Sequence, residues 1–334
     1  MMAGRLKFYL ACWSLGWVSA LHGNWMQIID KIGVDAEVNW STFRWNEWEL
    51  TAGELFFISE LKIKNHAAVL LLNIPLREIS VFKAGRNDCL ELIDGDLTLV
   101  WDAKTGFQSK GIQTLHISRI KLADFEATEM SLGIQLNPEK EIAVTELSFN
   151  YAGGRIKLAP FIWKPTVKSL YLDLLLDGLD MQKLTNLLPD WGFSAEGRID
   201  GRIGLIIGAE QFDLTPGSMH YRTNTNGSIR YKNEGWLTRN RDLHAQAKVL
   251  RAAEEAITDL KLQQLNLTIH ELDASGGPQA VLEIIGESTN LDLNINVPVN
   301  LQINFRFALA DIASLSIFQT LKELLFTSNP SGKN

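Results

Sequence analysis

From Leu291 to Leu309 the odd positions are all apolar and the even ones nearly all polar. The odd set reads Leu291, Leu293, Ile295, Val297, Val299, Leu301, Ile303, Phe305, Phe307 and Leu309. A period of two places one set on each face of a β-strand, whereas a helix would scatter it around its circumference. Unbroken, nineteen residues would reach roughly 60 Å, far beyond an ordinary strand. Pro298 predicts a bend or break, because proline cannot donate to a ladder. The chain is therefore building a long apolar face, and what covers that face becomes the central question.

The same alternation recurs along the body. Glu54–Lys64 contains one segment, with Leu55, Phe57, Leu61 and Ile63. Leu97, Leu99 and Trp101 form another after the turn signal Asp94-Gly95-Asp96. Leu115, Ile117, Ile120 and Leu122 continue with one slip, which predicts a bulge. Leu132, Ile134 and Leu136 lead to a turn at Asn137-Pro138. Ile142, Val144, Leu147 and Phe149 lead to Gly153-Gly154, and Ile156, Leu158 and Phe161 run on to Pro165. Regularly spaced short strands with turn signals between them predict an all-β architecture.

Three segments read as helices: Asp177–Leu188, Asp242–Ile257 and Asp311–Phe326. The last places Ile312, Leu315, Phe318, Leu321, Leu324 and Leu325 on one face behind a capping Asp311. A short helix around Asn24–Ile32 is a fourth candidate. So few helices cannot cover a sheet of some fifteen strands. Either the sheet closes on itself as a sandwich or barrel, or it curls into an open trough, roughly 70 Å long at about 4.8 Å per strand.

Composition narrows the classes. The chain is 46% hydrophobic and 21% charged, which is globular. A net charge of −7 without a long basic run argues against a nucleic-acid surface. Two distant cysteines, Cys12 and Cys89, make neither a disulfide scaffold nor a metal site. At the N-terminus, Arg5 and Lys7 flank an apolar stretch comprising Leu6, Phe8, Leu10, Trp13, Leu15, Trp17, Val18 and Leu21. It fits an uncleaved membrane anchor, a cleaved export signal ending at Val18-Ser19-Ala20, or a buried helix. The anchor is the reading adopted, with Trp13, Trp17 and Trp25 suited to a bilayer interface. Trp40, Trp45 and Trp48 follow, either at a trough entrance or in early strands. The expected organisation is an anchor over 1–23, an N-terminal β part over 24–165, a C-terminal β part with a terminal helix over 166–327, and a tail over 328–334.

Catalytic signals are weak. Asp94 with Asp96 reads as a turn, Asp177 and Asp180 read as helix-start residues, and Asp200 between glycines reads as an outward strand or turn residue. The six histidines lack zinc-ligand spacing. Gly197, Gly201 and Gly204 open no helix and form no dinucleotide loop, and no nucleophile elbow or phosphate loop is present. The residues therefore predict no enzyme and no cofactor.

The stretch Gly197-Arg198-Ile199-Asp200-Gly201-Arg202-Ile203-Gly204-Leu205 resembles a glycine-hydrophobic strand of YdbH-type, AsmA-like envelope proteins. Gly217-Ser218-Met219 and Gly227-Ser228-Ile229-Arg230-Tyr231 resemble the strands that follow it there. Leu176-Asp177-Gly178-Leu179-Asp180 is similar to the family's strand-to-helix step, and Gly153-Gly154-Arg155-Ile156 with Pro160 to a recurring strand. Gly204 stands where that family often has proline, and the chain is much shorter than the large members.

The resemblance implies an elongated, curled antiparallel sheet anchored in the inner membrane of a Gram-negative envelope. In the periplasm its apolar groove would pass phospholipid acyl chains toward the outer membrane. It also implies a small outer-membrane lipoprotein as partner, docking by strand addition. The groove expectation rests on Leu291, Leu293, Ile295, Val297, Val299, Leu301, Ile303, Phe305 and Phe307. Two rival readings stay open: an adaptor with a closed β core that binds partners by strand addition, and an outer-membrane barrel.

Overall fold

A computed structural model describes residues 37–40, 44–45, 48–53, 55–64, 67–83, 87–102, 105–122, 125–139, 141–164, 167, 169–186, 193–208, 212–231, 258–272, 278–290 and 295–306. The expected anchor, the segments Asn24–Ile32, Asp242–Ile257 and Asp311–Phe326, and the strand ends Leu291, Leu293 and Phe307 lie outside them.

Among the described residues the chain is almost wholly strand. The first half comprises β1 (Glu37–Trp40), β2 (Arg44–Trp45), β3 (Trp48–Ala52), β4 (Leu55–Lys64), β5 (Ala67–Lys83), β6 (Cys89–Asp102), β7 (Gly106–Ser109), β8 (Gln113–Leu122), β9 (Phe125–Leu136) and β10 (Ile142–Tyr151). The second comprises β11 (Gly154–Leu158), β12 (Phe161–Trp163), β13 (Ser169–Asp180), the helix α1 (Met181–Thr185), β14 (Phe193–Glu196), β15 (Arg198–Gly208), β16 (Phe212–Tyr221), β17 (Gly227–Tyr231), β18 (Leu260–Leu272), β19 (Pro278–Asn290) and β20 (Ile295–Arg306).

All pairings are antiparallel, mostly between sequence neighbours. The ladder runs from β3 and β4 through β5, β6, β8, β9, β10, β11, β13, β15, β16, β18 and β19 to β20. Short strands share single rungs: β7 beside β8, β12 beside β11, and β14 and β17 beyond β15 and β16. No pairing among the described residues joins β20 back to β1 or β2, so the sheet is open and is not a barrel. About fourteen rungs at about 4.8 Å give it a length of roughly 60 Å.

Curvature comes from where the strands change face. In β5 the buried positions run Leu70, Leu72, Ile74, Leu76 and then jump to Ile79. β6 jumps from Leu90 to Ile93, β8 from Ile117 to Ile120, and β9 from Ala127 to Met130. The register aligns these jumps: Ile79 sits opposite Ile93, Ile93 opposite Ile117, and Ile117 opposite Met130. Glu78, Leu92 and Glu129 lie in this row with left-handed φ of 52°, 52° and 51°. The slip in the spacing of β8 predicts a bulge. β8 instead keeps unshifted register with both β6 and β9, because all three strands change face together. A row of such kinks folds the sheet along a crease, as a single bulge bends one strand. Farther along, ordinary bulges do the same work, between Leu176 and Leu179 in β13 and between Leu262 and Gln264 in β18.

Three sequence expectations change. Asp94-Gly95-Asp96 is not a turn but the middle of β6. The helix expected from Asp177 starts only after Asp180, because β13 continues to that residue. Asp180 is the true N-cap, accepting from the backbone N–H of Gln182 at 2.9 Å and of Lys183 at 3.3 Å. Pro298 neither bends nor breaks β20, where it lies opposite Glu287. The strand is an edge among the described residues, and an edge is where a missing N–H is tolerated.

Candidate functional site on the apolar face

One face of the sheet is apolar along its whole length. Leu301 of β20 lies opposite Ile284, which lies opposite Leu265. Met219 lies between Leu267 and Gly201, and Leu176 between Gly201 and Ile156. Phe149 carries the face on to β10, Leu132 to β9, and Leu115 and Ile117 to β8. These side chains pack as three clusters that share members. Phe149 touches the first and second, Ile142 and Phe161 the first and third, and Leu158 and Leu174 the second and third.

Burial varies along this face. Leu76, Leu115 and Leu260 are wholly buried in the floor. Leu97, Leu99, Phe125, Leu147, Val299 and Leu301 are only partly covered and line the accessible part. Among the described residues α1 is the only helix.

Of the nine groove residues predicted from sequence, Val299, Leu301 and Ile303 are half-buried on the apolar side of β20. Ile295, Val297 and Phe305 occupy that strand in the same alternate register, while Leu291, Leu293 and Phe307 lie outside the described residues. The sequence reading centred the site on this one strand because its alternation is uninterrupted. The structure adds the apolar sets of β5, β6, β8, β9, β13, β15 and β18, whose alternation is obscured by the face changes. Trp40, Trp45 and Trp48 fall in β1, β2 and β3.

The opposite face is polar and held by ion pairs. Arg222 donates from Nε to Asp200 Oδ2 at 2.8 Å and from Nη2 to Asp177 Oδ1 at 2.7 Å, and a further bond reaches Asp200 Oδ1. Asp200 Oδ1 also accepts from the Gly178 backbone N–H at 2.7 Å. Arg198 donates to the carbonyls of Gly153 at 2.9 Å and Gly178 at 2.8 Å. The Arg222 guanidinium, helped by the Gly178 N–H, holds the Asp200 carboxyl below the usual range. These groups surround an open notch of about 400 Å³, also lined by Asn150 and Arg155. Arg155 donates to Ser148 Oγ at 2.8 Å. Arg198 and Arg222 are thus engaged in pinning the β13 bulge, and the two aspartates are bound as acceptors, not poised as an acid/base pair.

No cluster of metal-ligating side chains occurs among the described residues. Cys89 is buried and free; burial, and then its bond to Glu91, pushes its thiol pKa up, the opposite of a reactive cysteine.

Residues 92–323 match the YdbH-like model, described as intermembrane phospholipid transport protein YdbH. The chain belongs to the YdbH-like family. No curated protein and no solved structure matches it. The match includes the crease in β6, β8 and β9, the clamp around Arg222, and all the described strands from β7 to β20. No helix of the described residues is long and apolar enough to cross a membrane.

Proposed function

We propose that this YdbH-like chain passes phospholipid between the membranes of a Gram-negative envelope, with acyl chains held on the apolar face of its open sheet. The carrying observation is the continuity of that face from β5 to β20 in a sheet that no pairing among the described residues closes. Each CH₂ removed from water contributes roughly 0.8 kcal/mol. A face of near-uniform aliphatic character offers similar energy at each step, so a lipid can slide without a deep trap. Such passage needs no nucleophile, metal or cofactor, and we read the protein as a non-enzyme. The groove has no means of setting direction, which must come from a difference in lipid between its two ends. An N-terminal anchor in the inner membrane, a body in the periplasm and a small lipoprotein adding to the edge of the sheet complete the reading.

Native mass spectrometry of the purified full-length chain, with extraction of bound lipid, tests it. Several phospholipids per chain are expected, lost or strongly reduced in Ile303→Asp while circular dichroism stays that of the wild type. A lipid-free, stable wild-type protein would mean that the apolar face is protein core, and that the chain works as a β-rich adaptor.

A further inference from the structure

The arginines of this sheet follow a rule with two exceptions. Arg77, Arg119, Arg202, Arg222 and Arg230 each pair with a carboxylate. Arg155 and Arg198 pair with none among the described residues. Arg155 donates there only to Ser148 Oγ, at 2.8 Å. Arg198 donates only from Nη1, to the Gly153 and Gly178 carbonyls. Both residues are exposed, and both line the open notch of about 400 Å³. The exceptions share a cause. Asp177 lies directly opposite Arg155 in the ladder of β11 and β13, where a carboxylate would pair with it. Its carboxylate is bound instead to Arg222, which also holds Asp200. Asp180 lies opposite Arg198 but is bound to the first N–H groups of α1. The nearest carboxylates are thus committed elsewhere, and the donors left over border one space. Gly153, Gly154 and Gly178 line that space and put no side chain into it. Lys183 brings a further cation, its Nζ placed 3.5 Å from where a Cβ on Gly153 would lie.

A guanidinium is a planar fork of N–H donors with no acceptor, and it suits carboxylate and phosphate oxygens. One fork satisfies a planar carboxylate. Here two forks, from the strands that flank β13 on either side, border one opening. That arrangement suits an anion whose acceptor oxygens do not lie in one plane. We infer that the notch is an oxyanion site for a phosphate group, with Arg155 and Arg198 donating to its oxygens and Lys183 adding charge. A lipid headgroup and a soluble phosphate ester carry the same group, and the test separates these two sources. The site lies on the polar face, so it stands or falls apart from lipid passage along the apolar one.

Isothermal titration calorimetry of the full chain with inorganic phosphate, at neutral pH and fixed ionic strength, reads the site. Saturable binding of a single phosphate per chain is expected, with acetate bound much more weakly. Arg155→Gln removes a fork and leaves the contacts of Arg198 and Arg222 in place. It should weaken phosphate binding about tenfold, the size of one lost hydrogen bond to a charged group. Repeating the titration on chain loaded with dioleoyl phosphatidylglycerol identifies the source. Loss of the phosphate signal supports the site with a lipid headgroup as its occupant, and an unchanged signal supports it with a soluble phosphate ester. Absence of saturable phosphate binding, equal binding of acetate, or an unchanged affinity in Arg155→Gln overturns the inference and leaves lipid passage standing. If Arg155→Gln does not fold, the wild-type comparison of phosphate with acetate decides alone. A chain that binds phosphate but no lipid keeps this site and overturns the transport reading instead.

Discussion

Arg222 shows how a single side chain fixes the curvature of the sheet. It gathers Asp177 from β13 and Asp200 from β15, and Asp200 in turn holds the N–H of Gly178, inside the β13 bulge. From the sequence, Asp177 looks like a helix start and Asp200 like an outward strand residue. The second reading holds and the first fails, because the partner lies 45 residues away and no local pattern announces it. Arg222→Met should destabilise by about 1–3 kcal/mol, since it strands a half-buried carboxylate. Arg202, which pairs with Asp173 but is itself 70% exposed, should cost less stability when changed to Met, because solvent screens the pair. Urea unfolding midpoints compare the two. The same pairings set an acid limit. Arg222 lowers the Asp200 pKa and Arg202 lowers that of Asp173. Unfolding raises both carboxyls to the ordinary value of about 3.9. Their contribution is therefore complete above that pH and is lost as pH falls through the depressed native values. Thermal melts from pH 6 to pH 2 should show a shallower acid decline for Asp200→Asn than for the wild type.

Elements here are longer than their turn signals suggest. β6 runs straight through Asp94-Gly95-Asp96 because tertiary partners replace the turn. Asp94 accepts from the Glu78 N–H at 3.0 Å, Asp96 pairs with Arg77 at 2.7 Å, and a Cβ on Gly95 would come within 2.6 Å of Leu115. The glycine is thus a point of close strand approach. Gly178 is required for a different reason: its φ is +63° and a Cβ would meet the Arg222 guanidinium at 3.2 Å. Gly178→Ala should cost about 1–3 kcal/mol through backbone strain. Pro298→Thr, on the edge strand, should stay within about 0.5 kcal/mol of the wild type. Chemical denaturation of both variants tests whether β20 is an edge in solution; a large change at Pro298 would mean that another strand pairs there. Gly204 packs so closely that a Cβ would collide with Thr215 Oγ1 and lie 2.9 Å from the Tyr171 hydroxyl. Its place in β15 is set by this contact on the polar face.

For the molecule as a whole, one face does two jobs at different depths. Ile117, 1% exposed, belongs to the floor that holds the sheet together, whereas Ile303 sits half-buried near the edge. Ile117→Asp should unfold the chain, because a fully buried unpaired charge exceeds the stability of most domains. Ile303→Asp should leave it folded and reduce bound lipid; scanning calorimetry beside lipid counting separates the two effects. Local pattern alone is enough for the all-β class, the places of β4, β8, β10 and β11, the turns at Asn137-Pro138 and Gly153, and the apolar character of β20. Period-two alternation is written locally, and local sterics enforce it. Tertiary structure decided the rest. The crease through Glu78, Leu92 and Glu129 depends on register between four strands. The clamp at Arg222 joins β13 and β15 to the end of β16. These properties belong to contacts between residues far apart in the chain, and no local period encodes which distant strand will lie alongside.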